Sequence, residues 1–463
     1  WGFFPSASVA WRISDEPWMG WSRRALDNAK IRLSAGSMGN GNVDPYSYTS
    51  EMTVVTASDI VLGGGLPSYT TVGSTVPVSL TWEKSTTYDV GLDLDFFNNR
   101  LSVSGDYYRR YTTDMYTASV ALPAVYGTGS PKGNNAEMKT DGWELSLSWR
   151  DSFKLGGKPF DYSIKAMVWD SKSVITKYVN DTGSLGTVKG FIENGGSPSS
   201  YYVGMTVGEI WGYTVAGLFR DQADIDSSAI HDFVQASDKV TRPGQVKIAD
   251  LDGNGFIDPG NFAVDDHGDL RIIGNQSPRY RYGVNLSARW NGIGLSVFLQ
   301  GVGARDWYPG SDAGMFWGKY GRPFFALIPS IHNYTDDMYS AERNNWDTAY
   351  WPRMTTYQSN GTKNWTRLLE IPNTRYIQSA AYLRVKNIQL DYSFPKHICS
   401  AIRLQGLKIY VNAENLFTFT PLHKYAPNFD PEGLSYDSDF ASAADGYTYP
   451  ILKSVTVGVN ITF

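Results

Sequence analysis

Cysteine is nearly missing from this chain of 463 residues: Cys399 is the single one. An internal disulfide is therefore excluded, and with it a disulfide-stapled fold. Five histidines leave little for a His-rich metal centre. No basic surplus exists either. Lys and Arg total 41 against 46 Asp and Glu, a net charge of −5. A general nucleic-acid binder needs a basic footprint, so that class is set aside. No run of 18 or more apolar residues occurs, so no transmembrane helix is expected. That lack does not exclude a barrel, because half of each spanning strand is polar. The opening residues, WGFFPSASVAWRIS, contain no basic n-region, apolar h-region or cleavage site. The expectation is that export information has been removed, or that the chain is part of something longer.

What the chain has is aromatic residues, 14% with 30 Tyr and 15 Trp, and 46 glycines. It also has strict alternation. The last ten residues, SVTVGVNITF, place Val455, Val457, Val459, Ile461 and Phe463 on one face. Ser454, Thr456, Gly458, Asn460 and Thr462 fall on the other. Period two means a strand with an apolar and a polar face. YDVGLDLDFF, WELSLSWR, RYGVNLSARW and LKIYVNAE repeat the pattern. In YLRVKNIQLDYSF the phase slips between Val385 and Ile388, which predicts a β-bulge near Asn387. In a soluble sandwich the apolar face would be the core. In a membrane barrel it faces lipid, the polar face lines a wet lumen, and aromatics gather near both ends of each strand. Trp, Tyr and Phe do begin or end the apolar faces here.

The connections favour the barrel. Some are very short: Asn98-Asn99, Gly156-Gly157, Asn291-Gly292 and Lys396 to Ile402. Asn-Gly favours a type I′ hairpin turn. Others are long: roughly 171–279 and 303–379, with lesser ones near 40–85, 112–138 and 419–450. Barrels alternate short periplasmic turns with long extracellular loops, whereas a soluble domain seldom needs loops of that length. Expected strands are 7–14, 29–38, 86–97, 100–112, 139–150, 158–170, 280–290, 293–302, 380–394, 403–418 and 452–463. The fold class is thus all-β, a transmembrane antiparallel β-barrel with about eleven strands. By parity the chain would begin outside and end in the periplasm, which a complete bacterial barrel does not do. The expectation is half of a barrel of about 22 strands, the plugged-transporter size, with residues 1–463 as its C-terminal part.

At this level of detail the chain resembles the C-terminal part of SusC-like (RagA-like) TonB-dependent transporters of Bacteroidetes outer membranes. The resembling stretches span nearly the whole chain: GFFPSASVAWRISDE at 2–16, IRLSAGSMGNGNV at 31–43, TTYDVGLDLDFFNNRLSVSGDYYRR at 86–110, VGEIWGYTVAGLF at 207–219, PGQVKIADLDGNGFID at 243–258, IIGNQSPRYRYGVNLSARWNGIGLSVFLQGVGARD at 272–306, AAYLRVKNIQLDYSFP at 380–395, IYVNAENLFTFT at 409–420, and the terminal VTVGVNITF. The resemblance implies that a last strand ending in Phe463 serves as the signal for barrel assembly. It also implies a plug, a TonB box and a first barrel half, none visible here, so the chain would be a fragment, a cleaved product or one half of a split transporter.

One local motif carries chemistry of its own. Asp250-Leu-Asp252-Gly-Asn254-Gly255-Phe256-Ile257-Asp258 matches the start of an EF-hand-type loop. Ca²⁺ takes six to eight oxygens, and side chains at positions 1, 3 and 5 converge around a turn forced by Gly at 6. The expected ligands are Asp250, Asp252, Asn254, the Phe256 carbonyl and Asp258. Position 12 is Asn261 where Glu is expected, so Asp265 or Asp266 is a candidate replacement. The competing expectation is an Asx-rich turn holding itself together.

Catalytic signals are thin. Ala35-Gly36-Ser37-Met38-Gly39 departs from a nucleophile elbow at Ala35. His267 near Asp265, Asp266 and Asp269 reads as a solvated acidic loop before it reads as a catalytic dyad. Trp307, Tyr308, Trp317, Tyr320, Trp346 and Trp351 have two readings, stacking on sugar faces or packing loops on each other or on a lid.

The leading expectation for function is active import, without enzymatic chemistry, of a large nutrient, an oligosaccharide or oligopeptide. Its partners by resemblance are a SusD-like surface lipoprotein as lid, a plug-bearing N-terminal half, the TonB complex and the lipid bilayer, and the assembly suggested is a dimer of transporter–lid pairs. The alternatives are a passive porin or barrel adhesin without plug, an outer-membrane hydrolase and a soluble β-rich lectin. A hydrolase would require a Ser/His pair on adjacent strands, which the sequence does not offer.

Overall fold

A computed structural model of the chain describes residues 2–22, 24–41, 49, 52–58, 60–73, 80–118, 125, 132–180, 183–185, 201–230, 241–309, 316, 337–353, 371–434 and 451–463. Its frame is one antiparallel sheet of eleven strands. These are β1 (Ser6–Arg12), β2 (Leu26–Asn40), β3 (Glu83–Phe96), β4 (Leu101–Ala118), β5 (Lys132–Leu155), β6 (Lys158–Lys177), β7 (Arg279–Trp290), β8 (Ile293–Ala304), β9 (Tyr382–Ser393), β10 (Gly406–Phe419) and β11 (Ser454–Thr462). Each pairs with the next in sequence order, so the sheet is an uninterrupted meander with β1 and β11 at its edges. Among the described residues no helix is long and apolar enough to cross a membrane, which says nothing of strands.

Sequence order is enforced locally, by the turns. Gly156 and Gly157 take φ values of +59° and +77°, and Asn291 and Gly292 take +50° and +87°. Positive φ at both central residues is the type I′ signature, whose twist matches that of the flanking strands. The connection after β3 holds Phe97, Asn98 and Asn99 all near +58°, where Asn tolerates left-handed backbone best after Gly. Between β9 and β10 a short helix, Lys396–Ala401, closes the connection and buries Cys399.

All eleven expected strands are present. The middle ones are longer than their sequence pattern indicated. β4 continues to Ala118, β5 starts at Lys132, and β6 reaches Lys177. A spanning strand needs about 9–11 residues, so the 24 residues of β5 carry the hairpins well past the apolar band at the long-loop end. Alternation ceases to report on a strand once neither face touches lipid or core. The expected bulge is also there: both neighbours of β9 shift register between Val385 and Asn387, which leaves Lys386 as the extra residue.

The two faces differ as the alternation requires. One carries exposed Val9, Leu33, Val90, Leu92, Leu147, Ile164, Leu295, Leu390, Ile409, Val411, Val457 and Ile461. Aromatic contacts bound this band at the short-turn end, from Phe97 with Trp149 to Phe153 with Phe160 and Tyr162. At the other end stand Tyr88, Tyr107, Tyr111 and Trp143, all exposed. An exposed apolar band between aromatic girdles is the surface that lipid covers in a barrel.

Buried hydrophobic residues lie mostly elsewhere. Tyr213, Leu218, Ile257, Leu270, Trp307, Phe316, Trp351, Tyr376, Leu422 and Phe429 belong to one cluster drawn from the long connections. The loops at this end therefore fold on each other around a core of their own, helped by short strand pairs such as Glu209–Tyr213 with Leu270–Asn275.

Candidate functional site: the polar wall and its loop platform

The polar face of the wall is tied across strands by charge. Arg32 on β2 reaches Asp93 on β3 at 2.8 Å and, over the top of β3, Asp106 on β4 at 2.8 Å. Ser104 donates to Asp93 at 2.8 Å. What lets one arginine span three strands is Gly91, which lies between them in register. A Cβ there would stand 2.4 Å from Asp106 Oδ1 and 2.6 Å from the Arg32 guanidinium carbon. Further round, Lys408 on β10 meets Asp391 on β9 at 3.1 Å. Charged groups on this face match a wet lumen rather than an apolar core.

At the long-loop end a strap, 420–434, is fastened to the same wall. Arg384 of β9 is nearly fully buried and binds Asp430 and Glu432, each at 2.5 Å, while its Nε donates to Thr418 at 2.9 Å. Lys386, the bulged residue, adds a second cation to Glu432 at 2.9 Å. Arg305 donates to the carbonyls of Pro431 and Leu434, both at 2.8 Å. Leu422 and Phe429 of the strap sit in the loop core, so the strap joins wall to platform.

The loop aromatics among the described residues follow the packing expectation. Trp307, Tyr308 and Trp351 are buried, and Trp346 packs against the same cluster. Trp351 stacks on Tyr376 with centroids 5.6 Å apart and 14° between planes, and Phe316 meets it edge-on at 5.1 Å. Tyr350 stacks on Tyr425 of the strap at 3.6 Å. These rings pack loop on loop. Trp317 and Tyr320 lie outside the described residues.

The Asp250–Asp258 segment is a tight turn on the platform. Gly253 and Gly255 adopt φ of +76° and +85°. Asp250 accepts the N–H groups of Gly253 at 2.6 Å and Gly255 at 2.9 Å, and the Gly255 N–H chiefly holds its carboxyl below the usual carboxylate range. Asp250, Asp252 and Asp269 bring carboxylate oxygens within 4.8 Å of one another. Asp269 was no part of the expected set. It is fully buried, accepts from Leu251 N at 2.6 Å and Asp258 N at 3.1 Å, and burial first, then its anionic neighbours, pushes its carboxyl upward. No spacing rule reaches it, because it lies beyond the roughly 12-residue loop of the motif. Asn254 turns its amide nitrogen toward Asp252 at 3.2 Å and Asp258 at 3.1 Å, and Phe256 donates its N–H to Asn254. Asp266 takes the Asn261 amide and Asp265 is not among the three converging acids. Three carboxylates of one sign at this distance, one of them buried, repel each other and suit an oxygen-seeking cation.

The catalytic candidates do not assemble. Ser37 lies inside β2, where its hydroxyl accepts from Thr86 at 3.2 Å; a nucleophile elbow needs a strand-to-helix turn. His267 contacts the Arg271 guanidinium at 2.9 Å and the Trp211 ring, while Asp269 spends its oxygens on backbone N–H groups. Phe463 follows β11 and is exposed.

The sheet, its lipid-type outer face, its ionic inner face and its folded loops define a segment of a membrane β-barrel wall. A family profile described as TonB dependent receptor-like, beta-barrel matches residues 1–265, more than half of the chain. The chain belongs to that family, whose members are outer-membrane transport proteins. Among curated relatives, TonB-dependent receptor P3 of Formosa agariphila is 26% identical over the whole chain, and TonB-dependent receptor SusC of Bacteroides thetaiotaomicron is 24% identical. The chain spans 42% and 40% of those two proteins. Among solved structures, the RagAB peptide transporter superposes over 99% of this chain and 43% of its own, with a TM-score of 0.66 at 18% identity. That likeness concerns the fold.

Proposed function

We propose that this chain is the C-terminal wall of a TonB-dependent importer that takes up an oligosaccharide or oligopeptide beneath a SusD-like lipoprotein lid. The observation that carries the reading is the platform: the long connections pack on a shared aromatic core and are strapped to the wall through Arg384 and Arg305. A passive porin needs an open mouth, whereas a lid needs a firm rim to close on. The plug and the TonB contact would reside in the remaining length of the relatives. These residues then act as wall, rim and docking surface, and no bond is made or broken on them. Native mass spectrometry of the protein extracted from outer membrane in mild detergent tests this. A complex with a plug and a SusD-sized lipoprotein, single or as paired copies, supports import, and a retained oligomer names the substrate class. A plug-free, lid-free species transfers the weight to porin or adhesin.

The platform also favours a structural Ca²⁺ site, with Asp250, Asp252 and Asp269 as carboxylate donors and Asn254, the Phe256 carbonyl and Asp258 alongside. An amide flip of Asn254 would turn its oxygen inward. Its role would be to stiffen the loop, since no EF-hand helices flank it. Calcium titration followed by calorimetry is the check. One equivalent bound by the native protein and lost in Asp252→Asn supports the site, and no heat of binding removes it.

A further inference from the structure

On the outward, apolar face one row of cross-strand neighbours runs Ala7, Ala35, Tyr88, Arg109, Asp141, Lys172. The row changes character along its length. Its first half lines a groove of about 840 Å³ with Val9, Leu33, Val90, Tyr107 and Tyr111. Two alanines in register make the floor, and the Tyr88 and Tyr111 rings, edge to face at 6.5 Å, make a wall. Its second half is charged. Arg109 binds Asp141 at 2.5 Å, Lys139 binds the same carboxylate at 3.1 Å, and Lys172 stands opposite it in register. Two cations thus bind one anion and a third stands level with it on the next strand, a local surplus of two positive charges on a chain whose net charge is −5. Arg109 retains 42% of its side-chain exposure and Lys172 is exposed.

The height of this cluster is informative. Arg109 is eight residues above Leu101, the short-turn end of β4. At about 3.3 Å per residue and a tilt near 40° that is roughly 20 Å along the membrane normal. The apolar band of such barrels is about 25 Å tall. The same count on β6, fourteen residues from Lys158 to Lys172, gives roughly 35 Å, so the cluster spans from the upper part of the band to above it, among the Tyr and Trp that mark the interface, and the groove at Ala35, nine residues above Leu26, lies at its lower side. A charge on the lipid side of a barrel is costly at mid-depth and nearly free at the interface, yet three cations beside one acid are more than solvation requires.

We propose that this row is a binding site for a phosphorylated lipid of the outer leaflet, with the phosphate on Arg109, Lys139 and Lys172 and one acyl chain along Ala7, Ala35 and Tyr88. It rests on the reading above that the long loops face outward. Charge complementarity selects the headgroup, since a guanidinium flanked by ammonium groups suits phosphate. The continuous apolar floor selects a lipid over a free anion. Asp141 holds the cations in place in the lipid's absence.

The test is native mass spectrometry of the detergent-solubilised full-length protein titrated with monophosphoryl lipid A, with fully dephosphorylated lipid A as the matched control. One phosphorylated lipid adduct is expected, with occupancy falling at least fivefold in Lys139→Gln/Lys172→Gln and in Ala35→Phe, and rising in Asp141→Asn. Lys158→Gln, at the short-turn end, is expected to keep it. Equal adducts across these variants, or equal uptake of the dephosphorylated lipid, overturn the site. Sidedness is read separately by Asp252→Cys and a membrane-impermeant maleimide on whole cells, against the buried Cys399. Labelling without a phosphate-selective adduct refutes the lipid site alone, whereas absence of labelling refutes the outward loops on which it stands.

Discussion

Replacing Trp351 by alanine separates the platform from the wall. The indole is 2% exposed and touches Phe316, Tyr350 and Tyr376. Burying an aromatic of this size removes about 200 Å² from water, worth about 5 kcal/mol at 25 cal/mol per Å². Aromatic-to-alanine changes in packed cores cost about 3–5 kcal/mol, so about 4 kcal/mol is expected for the loops. The wall should be spared, because its strands are held by their ladders and by the surrounding lipid or detergent. Local opening draws on local stability only. With tenfold per 1.4 kcal/mol, loop opening should rise by about a thousandfold. Hydrogen exchange read by mass spectrometry in detergent is the assay. Peptides within 337–353 and 371–380 should exchange about a thousand times faster in Trp351→Ala, while those within 139–150 and 160–170 keep their protection. Trp143→Ala, a half-exposed ring on the apolar face, should leave the loops unchanged. Equal loss of protection in wall and loops, or none in either, would refute the idea of two separately stabilised bodies. It would also return the buried tryptophan to the list of sugar-stacking candidates.

Three further outcomes are expected. Gly91→Ala should expel the Arg32 guanidinium from its place over β3 and cost about 1–3 kcal/mol as overpacking does, seen as a lower temperature for loss of the SDS-resistant folded band, with Gly105→Ala, whose added Cβ meets nothing nearer than 3.9 Å, as the neutral control. Arg384→Met leaves Asp430 and Glu432 facing an apolar side chain. Breaking a buried pair from one side costs about 3–5 kcal/mol, so the strap at 420–434 should become the first site of proteolytic nicking, and unchanged resistance would contradict the strap. Asp224 has its carboxyl held low, first by Lys247 and then by the Arg220 N–H. A depressed carboxyl stabilises the fold above its unfolded value of about 3.9 and loses that contribution as pH falls through the lower folded value. Protection factors in the 215–226 segment, corrected for the intrinsic pH dependence of amide exchange, should therefore fall on acidification below pH 4 in the native protein and fall less in Asp224→Asn, where the depressed Asp221 carboxyl still contributes.

The wall was legible because its information is local. A strand in lipid repeats every two residues, and its turns need left-handed backbone, so Val455 to Ile461 and Asn291-Gly292 announce themselves without reference to the rest of the chain. Even the bulge at Lys386 leaves a one-residue slip in the pattern. Legibility stopped where contacts became distant. The upper ends of β4, β5 and β6 lie clear of any apolar surface, and their alternation fades there. Asp269 joins Asp250 and Asp252 through the fold of the platform, at a spacing no motif encodes. Arg384 reads in sequence as one more lumen-facing charge, and only the return of 420–434 over the wall reveals its two carboxylate partners. The same division explains the aromatics. Tyr88 and Trp143 could be placed on the girdle from period two alone, whereas Trp351 and Tyr376 have no period, and their ring contact depends on loops meeting across the mouth. Parts of this chain that face lipid are specified residue by residue, and parts that face each other are specified by the loops' shared core. It follows that change is best absorbed at exposed apolar wall positions such as Leu295 or Val457, where any residue lipid accepts will serve, and worst at Trp351 or Arg384, where the partner is one particular ring or one particular acid.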